Sequence, residues 1–418
     1  MGTAMTQRET PIGTPTASIY ICIAAACLIT LLSFGVRASL GIYLTPMIEA
    51  RSWNSETFGL AIALQNLFWG IGQPFAGALA DSRGYVRVFL GGTLLYILGL
   101  VSMSVVESPW LLYLGGGVVM GIGLAGASWT LAVGAATRII PVHMQGWTTG
   151  LIVAFCSIGQ LAMSLLGGSF IATYGWQTSL WILAALVALI APLAVTFARR
   201  TSVPGGSQAG AKRGNLKETV AAALSNRNFW MVFSGFFICG IHTGFIITHL
   251  PAHVSCLGMA PQTGAMALAA IGFANLFSSY GVGILGQTVS KKNILACVYG
   301  ARALALLAIL MVPAEDRNIL LISAVLGIFW MSSIPPTSGL LARMFGSSYI
   351  ATLLGLVFFG HQVGAFLGAW LGGVVFDRTL SYDLMWWLCI LLSAFAALIN
   401  LPVDERPVST LRTPAPAA

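Results

Sequence analysis

The chain has 418 residues, 57% of them apolar and 8% charged, with a mean hydropathy of +0.87 and a formal net charge of +8. Soluble domains carry about 25% charged residues, so too few charges remain to cover a water-facing surface. Composition excludes an ordinary soluble domain and puts most of the exterior against lipid.

In chain order, residues 1–17 form a polar tail with Pro11 and Pro15, without the cationic start and cleavage pattern of a signal peptide. Apolar runs follow at 18–47, 54–80, 85–106, 109–137, 145–173 and 176–198, then at 228–253, 262–288, 292–312, 318–343, 349–376 and 384–402. Each is long enough to cross about 30 Å of hydrocarbon as a helix. Lipid offers no partner for free backbone groups, and the alternating pattern of a barrel strand is absent, so helices are expected throughout. The expected architecture is all-α, with twelve transmembrane helices in two six-helix bundles. Its parts are a tail over 1–17, a bundle over 18–199, a basic linker over 200–226, a bundle over 227–403 and a tail over 404–418.

Ionisable groups are costly inside a bilayer, so each is a candidate functional residue. In the first run, Arg37 could hold a carboxylate through two parallel hydrogen bonds; a structural role is the alternative. Asn66 and Gln73 share a face of the second run, and Ser157, Gln160 and Ser164 follow helical spacing on the fifth. Such groups bind a polar solute or stitch helices together. The linker carries Arg199, Arg200, Lys212, Arg213 and Lys217 around a Pro-Gly-Gly-Ser stretch, and reads as basic and flexible.

In the second half, His242 and His249 lie on one face of the seventh run, about 10 Å apart at the helical rise. His361 falls near the middle of the eleventh. No Asp or Glu lies deep in any run, which leaves histidine as the mid-membrane group that titrates near neutral pH. His242 and His361 are therefore the proton-coupling candidates; a neutral, hydrogen-bonded helix contact is the alternative. Asn275 and Ser279 form a polar stripe on the eighth run. Arg302 lies near mid-depth in the ninth and reads as a structural charge bonded to backbone carbonyls. Pro335-Pro336 must interrupt hydrogen bonding in the tenth, as a gate or as a packing kink. The seven cysteines lack paired spacing and give neither a disulfide framework nor a metal signature.

Placing both termini in the cytoplasm puts Arg8, Arg83, Arg87, Arg138, the linker cations, Arg227, Lys291, Lys292, Arg343, Arg406 and Arg412 inside. Arg51, Arg317 and Arg378 fall outside. That is the positive-inside bias of an inner-membrane protein, so the cationic surplus is a topology signal and nucleic acid is not an expected partner.

Two segments repeat at an offset of about half the chain. After the second run comes Gly77-Ala-Leu-Ala-Asp81-Ser-Arg83-Gly84-Tyr-Val-Arg87, and after the eighth comes Gly283-Ile-Leu-Gly-Gln287-Thr-Val-Ser-Lys291-Lys292. Gly77 permits tight helix contact, Asp81 can accept from a neighbouring helix N-terminus, and Arg83 and Arg87 mark the cytoplasmic face. The first segment resembles the signature loop of the major facilitator superfamily, whose fold of six helices, a basic loop and six helices matches nearly the whole chain. The second copy departs from that signature, with Gln287 and Thr288 where acidic and basic residues are common.

A narrower likeness, to bacterial carriers of the monocarboxylate-porter type, rests on Gly35-Val-Arg37-Ala-Ser-Leu-Gly41, Thr248-His249-Leu-Pro251-Ala and Val357-Phe-Phe-Gly-His361-Gln362-Val-Gly364. Animal members carry Asp and Arg one turn apart in the eighth helix, where this chain has Asn275 and Ser279.

The resemblance implies a secondary carrier that alternates access between its halves around a central site, with Gly77, Asp81, Arg83, Gly84 and Arg87 in the conformational loop. It favours Arg37 as a cavity residue over Arg302. The expected cargo is a small organic anion such as a monocarboxylate, moved with a proton by a monomer in the lipid bilayer. Export of amphiphilic metabolites or drugs, with Trp129, Phe245 and Trp330 lining the path, is the alternative. No cofactor, metal or enzymatic motif is expected.

Overall fold

The computed structural model describes residues 17–140, 142–198, 216–345 and 350–408. Its fold is all-α, with twelve membrane-crossing segments among the described residues. The first span is Ala17–Ala38, continued by a 3-10 turn over Leu40–Tyr43 and by Leu44–Arg51. The second is Ser55–Arg83 and the third Tyr85–Val105. The fourth, Pro109–Thr137, contains a π-turn over Tyr113–Val119 and bends at Ala127-Ser128.

The fifth and sixth spans run back to back within Val142–Ala188 and separate at Gly175, whose φ of 77° and ψ of 162° leave the helical region; Ile190–Val195 completes the sixth. In the second half, Arg227–Cys256, Pro261–Thr288 and Lys291–Met311 are the seventh to ninth spans. The tenth is split into Asp316–Ile328 and Ile334–Phe345, followed by Ile350–Thr379 and Asp383–Asn400. Among the described residues, eight helices are long and apolar enough to cross a membrane, one of them the joined fifth and sixth spans. The second and eighth spans fall outside that set and carry Gln65, Asn66, Gln73 and Asn275; the tenth is broken.

Three differences from the sequence reading stand out. Part of the 200–226 linker, expected to be flexible, is a helix over Leu216–Leu224; Arg199, Arg200, Lys212 and Arg213 lie outside the described residues. The break in the tenth span falls at Phe329–Ser333, ahead of the prolines. Pro335 and Pro336 open its second segment, where a missing N–H leaves no helical bond unmade. At Gly77 an added Cβ would meet nothing within 4 Å, so this glycine makes no close helix contact here.

Elsewhere the glycines do what small residues do between membrane helices. A Cβ at Gly364 or Gly368 of the eleventh span would overlap the carbonyl oxygen of Phe237 or Ile241 on the seventh. Within the first half, the first span packs on the fifth and on the end of the fourth; within the second, the seventh packs on the eleventh and the ninth on the twelfth. The halves meet along two seams, second span on eleventh and fifth on eighth.

Candidate functional site

The seams are closed toward the face opposite the termini and the linker. Asp377, at the end of the eleventh span, accepts from the Ser55 and Glu56 amides at 2.9 and 2.7 Å and so caps the second span across the seam. The Trp370 indole donates to Glu56 at 3.2 Å. A Cβ on Gly41 would overlap the Ile247 carbonyl oxygen, and one on Gly59 would lie 2.5 Å from that of Ala369. Toward the linker face the seam helices have room: a Cβ on Gly77, Gly150, Gly281 or Gly355 would meet nothing within 4 Å. The halves thus bound a cleft that opens on the linker face and is shut at the other.

Beside the seam, against the second span, sits Arg37. It is buried at 4% exposure, three residues before the first span tightens into its 3-10 turn. Its Nη2 donates to Asn66 Oδ1, and its guanidinium lies 5.3 Å from the Trp69 ring centroid. Its Nε has no partner, and among the described residues no carboxylate pairs with it. Asn66 is held in turn, donating to the Ile62 carbonyl at 2.9 Å. Across the seam Gln362 donates to the Asn66 carbonyl at 3.2 Å. Gln73 bridges the Trp69 indole at 3.0 Å and the Ser128 and Thr130 hydroxyls at 3.1 and 2.6 Å.

An aromatic chain continues from Trp69 into the other half. Trp69 meets Phe358 edge-on at 5.7 Å, and Phe358 stacks on His361 at 6.1 Å with 4° between the planes. His361 is half-buried; its Nδ1 lies 3.1 Å from Gln362 Oε1, and its ring is 5.0 Å from Phe236. Arg37, Asn66 and His361 are therefore brought together, joined by Trp69, Phe358 and Gln362, which the sequence reading did not single out as site residues. Gln362 was within reach of it, as the neighbour of His361 in the motif.

The other candidates lie elsewhere. Gln160 donates across the second seam to the Leu268 carbonyl at 3.2 Å, and Asn275 donates to Ser157 at 2.7 Å while accepting from the Met331 amide at 3.1 Å. These amides stitch the fifth, eighth and tenth spans. His242 is buried inside the second half, its Nε2 2.9 Å from the Cys389 carbonyl of the twelfth span. His249 bridges the Ala369 carbonyl at 2.8 Å and the Tyr382 hydroxyl at 3.2 Å.

Arg302 is buried and donates to the carbonyls of Phe329, and of Trp330 at 2.7 Å, which the break in the tenth span leaves free. A third bond runs to Cys239 Sγ at 3.3 Å.

At the linker face Arg83 and Arg87 are exposed, and Gly84, at φ 93° and ψ 144°, makes the sharp turn between second and third spans. Of Asp81 only the helical backbone is described. In the second half the charge missing from the loop comes from the C-terminal segment. Glu405 accepts from Ser290 Oγ at 2.7 Å and the Lys292 amide at 2.9 Å, and pairs with Arg343 at 3.0 Å. Partial burial pushes its carboxyl up, but the Lys292 amide, the Ser290 hydroxyl and the Arg343 and Lys291 charges outweigh that and hold it below the ordinary value.

The family model of the Major Facilitator Superfamily matches residues 26–316 and 257–417. The MFS-type transporter YcxA of Bacillus subtilis (strain 168), itself described as uncharacterized, is 25% identical over 389 residues, 87% of this chain and 90% of that protein. Monocarboxylate transporter 13 of Rattus norvegicus is 25% identical over 390 residues, 89% of this chain and 86% of that one. Among solved structures, a D-xylose-proton symporter superposes with a TM-score of 0.73 at 13% identity, over 94% of this chain and 100% of its own.

Proposed function

The chain belongs to the major facilitator superfamily of membrane transporters, and from that premise we propose that it carries a small organic anion of the monocarboxylate class together with a proton. Arg37 is the anchor. Burying a guanidinium against an amide and an indole leaves its charge uncompensated, which is costly in a low-dielectric interior. A substrate carboxylate entering from the cleft supplies the missing charge, and Nε is the donor left free for it. Trp69 and Phe358 flank that position with apolar surface suited to a short acyl chain.

Access alternates by opening the seam where Asp377 now caps the second span and closing it where the seam glycines have room. The Lys/Arg bias puts the open face in the cytoplasm, in the inner membrane of a bacterium. The likeness to a monocarboxylate transporter points to the same substrate class.

The test is uptake by proteoliposomes under an imposed pH gradient, screened with lactate, pyruvate and longer monocarboxylates against amphiphilic cations. Saturable, gradient-driven uptake of a carboxylate, lowered by ~10–100-fold in Arg37→Gln, is the expected result. Flux of amphiphilic cations indifferent to carboxylates and to Arg37 would overturn the reading in favour of an exporter.

A further inference from the structure

The second half holds a buried cation whose compensation the proposed carrier cycle does not explain. Arg302 is 1% exposed, and its oxygen partners are two main-chain carbonyls, neither of which carries a charge. The remaining partner is the thiol of Cys239, one Nη1–Sγ bond of 3.3 Å away. Four spans bring the other groups that face that sulfur. From the ninth span come Arg302 and Tyr299, whose ring lies 5.4 Å from the guanidinium. The seventh contributes His242, bonded away to the Cys389 carbonyl on the twelfth, and the eleventh contributes His361, within hydrogen-bonding reach of the sulfur. The tenth gives only the Ser333 hydroxyl, 3.6 Å from Sγ. Among the described residues, the cluster contains no carboxylate.

From this arrangement we infer that Cys239 is the proton-carrying acid of the transport cycle, alternating between a thiol and a thiolate paired with Arg302, with His361 passing the proton to and from the cleft. The step balances as a plain transfer. The S–H bond breaks, the proton moves to the His361 ring and from there to water in the cleft, and the electron pair stays on sulfur opposite the guanidinium. No electron changes hands. A thiolate is the counter-charge that Arg302 lacks, and His361 is the member of the cluster that is only half-buried.

The pair also sits where its charge has mechanical reach. Arg302 clamps the break of the tenth span, so adding or removing a charge at Cys239 changes how firmly that break is held. The Nε of Arg302, Nδ1 of His242 and Nε1 of Trp330, all buried beside it without partners, mark room in the polar network for a second arrangement.

The inference deepens the proton-coupled reading and rests on it, so the test has one arm that needs no substrate. In the purified full chain, the ultraviolet thiolate band is followed through a pH titration as the difference between the parent and Cys239→Ser, a near-isosteric change that keeps an acceptor for Arg302. A difference band present at neutral pH that vanishes on acidification is expected; superimposable titrations would overturn the proposal.

The second arm uses radiolabelled L-lactate in proteoliposomes. Cys239→Ser is expected to exchange lactate across the membrane within about twofold of the parent, while losing accumulation driven by a pH gradient. Cys239→Asp, which restores an acid, regains part of that accumulation. Gradient-driven accumulation undiminished in Cys239→Ser sinks the proposal. If the parent itself fails to accumulate lactate, the substrate reading falls, and the titration decides Cys239 alone.

Discussion

The two halves share a plan but hold their buried arginines in opposite ways. Arg37, in the first half, is held by side chains: the Asn66 amide and the Trp69 ring. Arg302, in the second, is held chiefly by main-chain carbonyls that a broken helix leaves without donors. A cation gripped by side chains beside the seam can trade them for a ligand, because an amide and an indole keep other partners when it leaves. A cation that satisfies a helix break is not traded so cheaply, because its departure leaves two main-chain carbonyls without their donor. The position of the partners, rather than depth in the bilayer, separates the arginine proposed to bind substrate from the one that holds the helix break.

The largest effect expected from this comparison is at Arg302. Arg302→Gln leaves the Phe329 and Trp330 carbonyls and the Cys239 sulfur without their donor, and should cost ~3–5 kcal/mol of stability, the usual penalty for breaking a buried charged network. Thermal unfolding of the detergent-solubilised chain is the measurement. A variant that melts with its parent would show that the tenth span holds its own break and would dissolve the distinction. Arg37→Gln should do the reverse: melting stays close to the parent, while uptake falls by ~10–100-fold, since charged hydrogen bonds are worth ~1.5–3 kcal/mol. Equal loss of stability in both variants would mean that Arg37, too, is part of the scaffold.

The halves differ again at the linker face. The first turns on Gly84, whose φ of 93° and ψ of 144° belong to a region closed to residues with a Cβ. Gly84→Ala should therefore cost ~2 kcal/mol of strain, read as a lowered melting temperature, whereas the loop of the second half has Gln287 and Thr288 and takes its negative charge from Glu405.

How much of this was legible in the sequence follows from the range of the interactions. The spans were readable because hydrophobic length is local, and the bend of the tenth because proline announces itself. Its exact break was not, since where the chain yields depends on Arg302 in the ninth span collecting the freed carbonyls. Arg37 and Asn66 were readable as polar residues in apolar runs, but nothing local pairs them. Cys239 passed as a small core residue, because only the fold sets it against Arg302 and His361. Gly77 carries the signature spacing yet faces open space, since the contact it was expected to make belongs to a seam that stands apart at that end. Glu405, beyond the last span, gave no signal that it would complete a loop more than a hundred positions earlier.

Glu405 offers the smallest effect and the finest discrimination. If the C-terminal segment supplies what the second loop lacks, Glu405→Gln should lower stability by ~1 kcal/mol, the scale of a carboxylate on a helix N-terminus with one exposed partner. The pH dependence fixes the sign. The folded carboxyl is held below its ordinary value, which in an unfolded chain is about 4.3, so its contribution is fully present above that value and is lost as pH falls through the lowered folded one. Melting curves of parent and variant should stay apart from neutral pH down to about 5, then converge below about 4. Gly84→Ala, whose strain has no titrating group, should keep its gap from the parent across the same range. A gap for Glu405→Gln that ignores pH would mean that the segment packs against the ninth span by shape alone, with Arg343 and the helix terminus indifferent to its charge.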